Sequence, residues 1–192
     1  KPTQTGAANA QPRAARPDGK LTYLAFIAKV TADALRAVPV VNASVDRDQI
    51  VYRKEINLGI AVALEEGLIV PVIKRADELD VLGLSRTIAD LAARARAKRL
   101  RPEDVEGGTF TITNPGVFGS LFGMPIINPP QVAILCVGAI EKRPVVADEV
   151  ITIRPRAYLT LGFDHRLIDG GVADDFLSRI KKGLENFDPA SA

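Results

Sequence analysis

Hydrophobic residues recur with a helical period in three separate stretches of the chain. The first begins at Leu21 and ends before Pro39, a helix stop signal, and its stripe comprises Leu24, Ile27, Thr31, Ala34, Leu35 and Val38. The second follows Ser85, a residue type that caps helix N-termini, and its stripe comprises Ile88, Leu91, Ala92 and Ala95. The third comprises Val172, Phe176, Ile180 and Leu184. The pattern therefore predicts three amphipathic helices.

Segments with β propensity lie between these helices. The runs IVYRKEI and LGIAVAL fall between Ile50 and Leu64, and LIVPVI comes after a polar turn at residues 65–67. Three more runs follow Gly107 and Gly108, namely TFTIT, QVAILCV and the alternating AYLTLGF. The strands and helices are mixed without strict β–α–β alternation. We therefore expect an α+β fold with helices packed on one face of a sheet, rather than a doubly wound parallel sheet.

Residues 1–20 differ from the rest of the chain because they contain no large apolar residue. They are rich in Ala, Pro, Gln and Gly, so we interpret them as a linker or disordered segment. Residues 21–192 have the length of one ordinary domain and contain all of the periodic segments. The sequence therefore predicts a short linker followed by a single domain.

Composition and charge narrow the classes of function. A formal net charge of +2 provides no broad field to attract nucleic acid. No apolar run approaches the roughly 20 residues that span a bilayer. A single cysteine, Cys136, excludes an internal disulfide and a cysteine-rich metal site, and it favours a reducing cytoplasm. We therefore expect no nucleic acid, no membrane and no metal.

The chain has one histidine, His165, in the segment FDHRLIDG at the end of a predicted strand. Imidazole can take up and return a proton near neutral pH, so His165 is a candidate general base. The alternative is a structural histidine at a strand end. Asp169, four residues later, is either a support for the imidazole or the N-cap of the last helix. Asp164 and Arg166 flank the histidine, and we expect them to pair with neighbouring charges.

A second candidate region is the segment GGTFTITNPGVFGSLFGMPIINPPQ, where a β run breaks into a loop rich in Gly and Pro. Such residues often serve only to shape a turn. The polar side chains here, however, are suited to holding an oxyanion or a polar ligand, and the candidates are Thr111, Thr113, Asn114 and Ser120, beside Gly116. The segment contains no phosphate-binding loop, dinucleotide fingerprint or nucleophile elbow.

Together the two regions resemble one family, the dihydrolipoamide acyltransferases that form the E2 component of 2-oxoacid dehydrogenase complexes. DHRLIDG resembles the DHRxxDG signature of that family, and GGTFTITNPGVFGS with PIINPPQVAIL resembles a second signature stretch. The resemblance runs from about Leu21 to about Asn186 and includes the segments NASVD and GLIVPVI. Several collinear segments make it specific.

The resemblance implies a chloramphenicol-acetyltransferase-like fold with a mixed sheet, assembled as trimers with the active site between neighbouring subunits. It implies that His165 is the catalytic base, that Asp169 supports it, and that Thr113 of the next subunit stabilises the tetrahedral oxyanion. We expect Asn114, Gly116 and Ser120 to contact substrate. The implied reaction transfers an acyl group between a dihydrolipoyl thiol and coenzyme A, without a metal or a covalent enzyme intermediate.

The family also implies partners and a location. We expect a lipoyl group carried on a separate domain, together with the E1 dehydrogenase and E3 dihydrolipoamide dehydrogenase of the complex. The expected assembly is a homotrimer, with a larger cubic core as the alternative. The compartment is the bacterial cytoplasm, or the mitochondrial matrix in a eukaryote. The segments VFGS and PIINPPQ resemble succinyltransferases more than acetyl or branched-chain enzymes.

Two departures from the family keep other hypotheses open. The first helix and strand of the family's domain have no counterpart before Leu21, and the chain stops at LENFDPASA rather than in a Leu-rich tail that joins trimers. The chain could therefore be a fragment, or a trimeric scaffold that has lost turnover. A hydrolase that pairs His165 with Ser120 or Ser85 is a weak third hypothesis, because no nucleophile motif surrounds either serine.

Overall fold

A computed structural model describes residues 21–147 and 149–187. The predicted linker, residues 1–20, lies outside the described residues and stays a prediction. Three helices are α1 (Tyr23–Ala37), α2 (Val81–Arg96) and α3 (Gly170–Glu185). The strands are β1 (Ala43–Asp46), β2 (Gln49–Tyr52), β3 (Leu58–Ile60), β4 (Val62–Leu64), β5 (Gly67–Ile69), β6 (Val72–Ile73), β7 (Phe110–Thr113), β8 (Ala133–Val137), β9 (Glu141–Ala147), β10 (Val150–Arg156) and β11 (Leu159–Phe163).

The central element is a five-stranded mixed sheet with the strand order β11-β8-β7-β3-β6. Strands β3, β7 and β8 are parallel, whereas the edge strands β6 and β11 run antiparallel to their neighbours. The remaining strands form three separate two-stranded ribbons, β1–β2, β4–β5 and β9–β10. The expected α+β fold with a mixed sheet is confirmed.

The three helices share one hydrophobic core with the sheet. Helix α1 packs against both α2 and α3, and its buried stripe includes Ile27 and Leu35. Alternate residues of the central strands, such as Phe110 and Ile112 of β7, belong to the same core. The ring of Phe110 lies 5.6 Å from that of Phe176 on α3, which joins the middle of the sheet to the last helix. The helices therefore cover one face of the sheet, as predicted.

The predicted start of the second helix is wrong. Helix α2 begins at Val81, and its N-cap is Asp80, whose Oδ1 accepts a hydrogen bond from the Gly83 N–H at 2.6 Å. Ser85 lies one turn inside the helix and is buried. The buried side chains Val81 and Leu84 explain the earlier start, because they extend the apolar stripe by about two turns toward the N-terminus.

Two predicted β runs are each divided between different sheets. LGIAVAL breaks at Ala61, so that β3 pairs within the central sheet while β4 pairs with β5. LIVPVI breaks at Pro71, which has no N–H to continue a ladder but accepts a hydrogen bond from the Ile60 N–H at 2.8 Å. The sequence pattern identified apolar β segments correctly and did not reveal where the chain leaves one sheet for another.

The β9–β10 hairpin was not predicted from the sequence. Its register pairs Val146 with Ile151 and Pro144 with Ile153, so these four side chains lie on one face. Val146, Ile151 and Ile153 are all well over half exposed. Pro144 and Pro155 lie within the two strands and lower their local strand propensity, so the sequence gives no clear strand signal here.

A buried carboxylate joins the end of α2 to the segment that leads into β7. Asp104 accepts hydrogen bonds from the backbone N–H of Arg101 at 2.8 Å and from Nη1 of Arg94 at 2.5 Å. The backbone N–H of Arg101, followed by the guanidinium of Arg94, lowers the pKa of Asp104 from 3.8 to about 2. The ionised form is therefore the one that stabilises this junction.

We expect Asp104→Asn to lower the melting temperature at pH 7, because the neutral amide loses the charge-assisted bonds. A carboxylate with a lowered pKa stabilises the fold above its unfolded pKa of 3.8 and loses that contribution as the pH falls toward 2. The gap between the variant and the unaltered chain should therefore narrow between pH 4 and pH 2 in thermal unfolding followed by circular dichroism. Asp90→Asn is the matched control, since Asp90 bonds the same Arg94 from an exposed position. Equal effects of the two substitutions would contradict the assignment.

Candidate active site

His165 lies in a tight turn between β11 and α3. The Asp164 N–H donates to the carbonyl of Val132 at 2.8 Å, and the Asp164 carbonyl accepts from the N–H groups of Leu167 and Ile168 at 3.0 and 2.9 Å. Ile168 is fully buried and anchors the turn in the core. The imidazole itself is exposed, with its ring 5.5 Å from that of Phe163. The turn therefore fixes the backbone of His165 and leaves its imidazole exposed at the surface.

The two charged neighbours of His165 pair with each other, as expected. Arg166 binds the carboxylate of Asp164 through Nη2 at 2.6 Å and through Nε at 3.0 and 3.1 Å. The Arg166 guanidinium lowers the pKa of Asp164, and the carboxylate in turn raises the pKa of Arg166. Both groups stay charged near neutral pH and stiffen the turn on either side of the histidine.

Asp169 is the N-cap of α3. Its Oδ1 accepts a hydrogen bond from the Val172 N–H at 2.8 Å, and its backbone is extended. Within residues 21–147 and 149–187, neither Asp169 nor any other side chain makes a hydrogen bond to the imidazole of His165. Of the two interpretations open for Asp169, capping is the one that the geometry displays directly.

The second candidate region begins at the carboxyl end of β7. Thr113 is the last residue of that strand, half-buried, and stands in register with Cys136 of β8. Asn114 follows, and Pro115–Phe118 form a 3-10 turn that ends at Gly119, with φ +88°. The Ser120 carbonyl then accepts a hydrogen bond from the Ala139 N–H at 2.8 Å. Thr113, Asn114, Gly116 and Ser120 therefore gather at one end of β7 and β8.

Close backbone packing shapes this end of the sheet. A Cβ on Gly116 would overlap the backbone of Gly138, and a Cβ on Gly138 would overlap the carbonyl of Leu121. Only glycine leaves room for these approaches, so the loop can lie flat over the end of β8. The region was proposed as a site from its polar side chains, and its glycines turn out to matter for packing.

The two halves of the candidate site lie at opposite ends of the sheet. Thr113 is level with Cys136 of β8, whereas Phe163, two residues before His165, is level with Ala133. Three residues along a strand span about 10 Å, and two strand spacings add a lateral offset of about 10 Å. His165 lies beyond Phe163 and farther still from Thr113. One chain therefore does not bring these two side chains together.

Similarity to known proteins identifies the family of this chain. A family model for the catalytic domain of 2-oxoacid dehydrogenase acyltransferases matches residues 5–191. The chain belongs to this family. The resemblance inferred from DHRLIDG and the TFTITNPGVFGS region is thereby confirmed.

Curated relatives are succinyltransferase components of 2-oxoglutarate dehydrogenase complexes. The protein of Buchnera aphidicola is 46% identical over 168 residues, which cover 88% of this chain and 41% of that protein. The mitochondrial protein of Bos taurus is 48% identical over 169 residues, covering 87% of this chain and 37% of that protein. The chain thus spans about two-fifths of the length of these relatives.

Solved structures agree with the fold. A probable dihydrolipoamide acetyltransferase of Listeria monocytogenes matches with a TM-score of 0.86 at 45% identity, covering 90% of this chain and 74% of that one. The dihydrolipoamide acetyltransferase of Azotobacter vinelandii matches with a TM-score of 0.83 at 34% identity, covering 87% and 70%. A chloramphenicol acetyltransferase matches at 14% identity with a TM-score of 0.52, which shows the shared fold alone.

Two kinds of feature were not found in the part of the chain that the structure describes, namely a candidate metal cluster and a helix that could span a membrane. No group of three or more His, Cys, Asp or Glu side chains is arranged to hold a metal ion there. Likewise, none of the helices within those residues is long and apolar enough to cross a membrane.

Replacing Gly116 with Ala should destabilise the domain by about 1–3 kcal/mol, because the added methyl group meets backbone atoms that cannot rotate away. Thermal unfolding should show a lower melting temperature. Gly170→Ala is the matched control, since a Cβ at Gly170 has open space around it. An unchanged melting temperature for Gly116→Ala would mean that the loop does not lie on Gly138 in solution.

Proposed function

We propose that this chain is the catalytic domain of a dihydrolipoamide succinyltransferase, which transfers a succinyl group between a dihydrolipoyl thiol and coenzyme A. One observation carries the proposal. In a chain of this family, the turn that contains His165 and the loop that follows Thr113 (the Thr113 loop) both lie at the surface, where a second copy of the chain can reach them. The curated relatives support succinyl rather than acetyl transfer, since they are 2-oxoglutarate complex components at 45–48% identity.

His165 is the proposed general base. A thiol with an ordinary pKa of about 8.5 is mostly protonated at neutral pH and is a weak nucleophile. His165 takes the proton of the attacking thiol, and the sulfur then adds to the thioester carbonyl to form a tetrahedral oxyanion. Collapse of the oxyanion expels the other thiol as a thiolate, which recovers the proton from His165. The proposed reaction requires neither a metal nor a covalent enzyme intermediate.

Thr113 is the proposed donor to the oxyanion. Its hydroxyl lies at the end of β7, beside the loop of residues 119–131, which we call the Ser120 loop. Asn114, Gly116 and Ser120 form the surface that we propose contacts substrate. One donor aimed at the developing charge is worth a few kcal/mol in the transition state. Asp169 holds the start of α3 and thereby supports the turn that carries His165.

The spacing of these residues agrees with work on the Azotobacter vinelandii enzyme. A serine, a histidine and an asparagine of that enzyme have been investigated for their role in its catalytic mechanism. That histidine lies 52 positions after the serine and four before the asparagine. His165 lies 52 positions after Thr113 and four before Asp169. The match supports the three proposed roles, with Thr replacing Ser and Asp replacing Asn.

The working form that we propose is a homotrimer in which His165 of one subunit meets Thr113 of the next. The separation of the two halves within one chain supports this assembly, as do the exposed apolar side chains of the loop formed by residues 119–131. Met124 and Ile126 are each 90% exposed, which is unusual for a chain that acts alone. Matches to solved complex cores, one of them cubic, support a larger core built from such trimers.

The wider complex follows from the same family. We propose that the lipoyl group reaches this domain from a separate domain, and that the E1 dehydrogenase and the E3 dihydrolipoamide dehydrogenase are the partner enzymes. Relatives come from bacteria and from mitochondria, which supports the bacterial cytoplasm or the mitochondrial matrix as the compartment that we propose. Turnover with succinyl-CoA, acetyl-CoA and a branched-chain acyl-CoA, each with free dihydrolipoamide, would test the acyl preference.

Replacing His165 with Ala should lower turnover by roughly 10²-fold or more, because the general base is removed. The assay is acyl transfer from succinyl-CoA to free dihydrolipoamide, with assembly checked by light scattering. Arg179→Ala, on the exposed side of α3 and paired with Asp175, is a control that should keep its rate. A His165→Ala protein of unchanged mass that keeps a near-normal rate would rule out the proposed mechanism.

Mixing inactive chains tests the shared site. In hybrid trimers of His165→Ala and Thr113→Ala chains, some interfaces contain both original residues, so activity should reappear on mixing. Light scattering should give a mass near three times 20.6 kDa, or a multiple of that trimer for a larger core. If labelled subunits exchange and activity does not return, the two residues do not act at the same intersubunit site.

A further inference from the structure

The Ser120 loop, residues 119–131, crosses the face of the sheet that points away from the helices. The core-facing side chains of the strands are Phe110 and Ile112 of β7, Leu135 and Val137 of β8, and Leu159 and Leu161 of β11. Thr113, Cys136 and Thr160 alternate with these and therefore share the opposite face. Register places Cys136 beside Thr113 on one side and beside Thr160 on the other. The three side chains form one row across the sheet.

The loop is fixed to this row from β11. The Thr160 hydroxyl donates to the carbonyl of Gly123 at 2.5 Å, in a partly buried position. Nearby, the ring of Phe122 lies 6.5 Å from that of Tyr158, and the guanidinium of Arg143 lies over the Tyr158 ring. A Cβ on Gly162 would meet the Pro125 carbonyl, so the loop continues along the same strand.

Thr160 lies near the start of β11, whereas His165 lies in the turn that follows the other end of that strand. They are five positions apart in the sequence, which would be about 16 Å in a fully extended chain. Thr113, by contrast, is level with Thr160 across two strand spacings, or about 10 Å. The Ser120 loop that Thr160 holds begins directly after the turn that follows Thr113. Sequence proximity therefore associates Thr160 with the histidine, whereas the sheet associates it with the opposite half of the site.

We propose that Thr160 is a positioning residue for the Thr113–Ser120 half of the site, and that it acts through the Gly123 carbonyl and not through His165. The inference rests on the proposed acyl transfer at a site shared between subunits. Without the hydroxyl, the Gly123 carbonyl loses its partner and the loop is free to shift. A displacement of about 1 Å at groups that orient a reaction can cost up to 10²-fold in rate.

The first test is a substitution series at Thr160. Thr160→Val keeps the shape and removes the donor, so kcat per assembled trimer should fall about 10-fold, with little change in KM for the acyl-CoA. Thr160→Ser restores the hydroxyl and should restore most of kcat. The matched control is Thr87→Val, which removes a similar hydroxyl-to-carbonyl bond, to Gly83 at 2.8 Å, within α2. If Thr160→Val changes the melting temperature as Thr87→Val does and leaves kcat unaltered, Thr160 is only structural.

The second test decides which half of the site Thr160 serves. Consider hybrid trimers of Thr160→Val and His165→Ala chains. At one kind of interface, the His165→Ala chain supplies an unaltered Thr113 half and the Thr160→Val chain supplies an unaltered histidine. Both halves of that site are then original. Mixing should therefore give some sites with the original kcat. The activity divided by the number of chains that retain His165 should then be well above the same ratio for the Thr160→Val protein alone. No such gain would show that Thr160 acts on its own His165, and would overturn the proposal.

The hybrid of His165→Ala with Thr113→Ala serves as the reference for the shared site. If that pair complements and the Thr160→Val pair does not, the positioning role alone is wrong. If neither pair complements although subunits exchange, the shared site itself is wrong.

Discussion

The parallel pairing of β7 with β8 is the constraint on which the geometry of the candidate site depends. It places the carboxyl ends of both strands together, and with them Thr113 and the loop that follows. Because β11 runs antiparallel to β8, the same sheet carries the chain to the opposite end before it reaches His165. The order and direction of three strands thus keep the proposed base and the proposed oxyanion donor of one chain apart. A site that uses both must be made by two chains.

The part of this arrangement that follows from sequence is the part encoded locally. Helical periodicity located α1 and α3 within two residues, and alternation located β11, because each pattern reflects the burial of neighbouring positions. His165 was proposed as a site residue from its residue type and surrounding segment, and Thr113 from the family resemblance of its segment. The start of α2 was misplaced because Ser85 is a good cap by type, while Asp80 makes the capping bond.

The rest depends on contacts between residues far apart in sequence. Nothing near Thr160 indicates that its hydroxyl reaches the carbonyl of Gly123, 37 positions earlier. Likewise, Gly116 and Gly138 read as ordinary turn residues until β8 brings their backbones together. The β9–β10 hairpin was missed because its prolines lower strand propensity locally, although the register tolerates them. Pairing between strands, not propensity, decided these features.

Cys136 lies in the middle of the row between Thr113 and Thr160, beneath the Ser120 loop. Its side chain is 2% exposed, and a Cβ on Gly123 would press on its sulfur. The proposed reaction passes an acyl group between thiols, so any accessible thiol in the protein would compete as an acceptor or form mixed disulfides. This is the single cysteine in the 192 residues, and the loop closes over it. The Ser120 loop, which we propose orients the Thr113 half of the site, thus also shields the thiol of Cys136 from the proposed reaction.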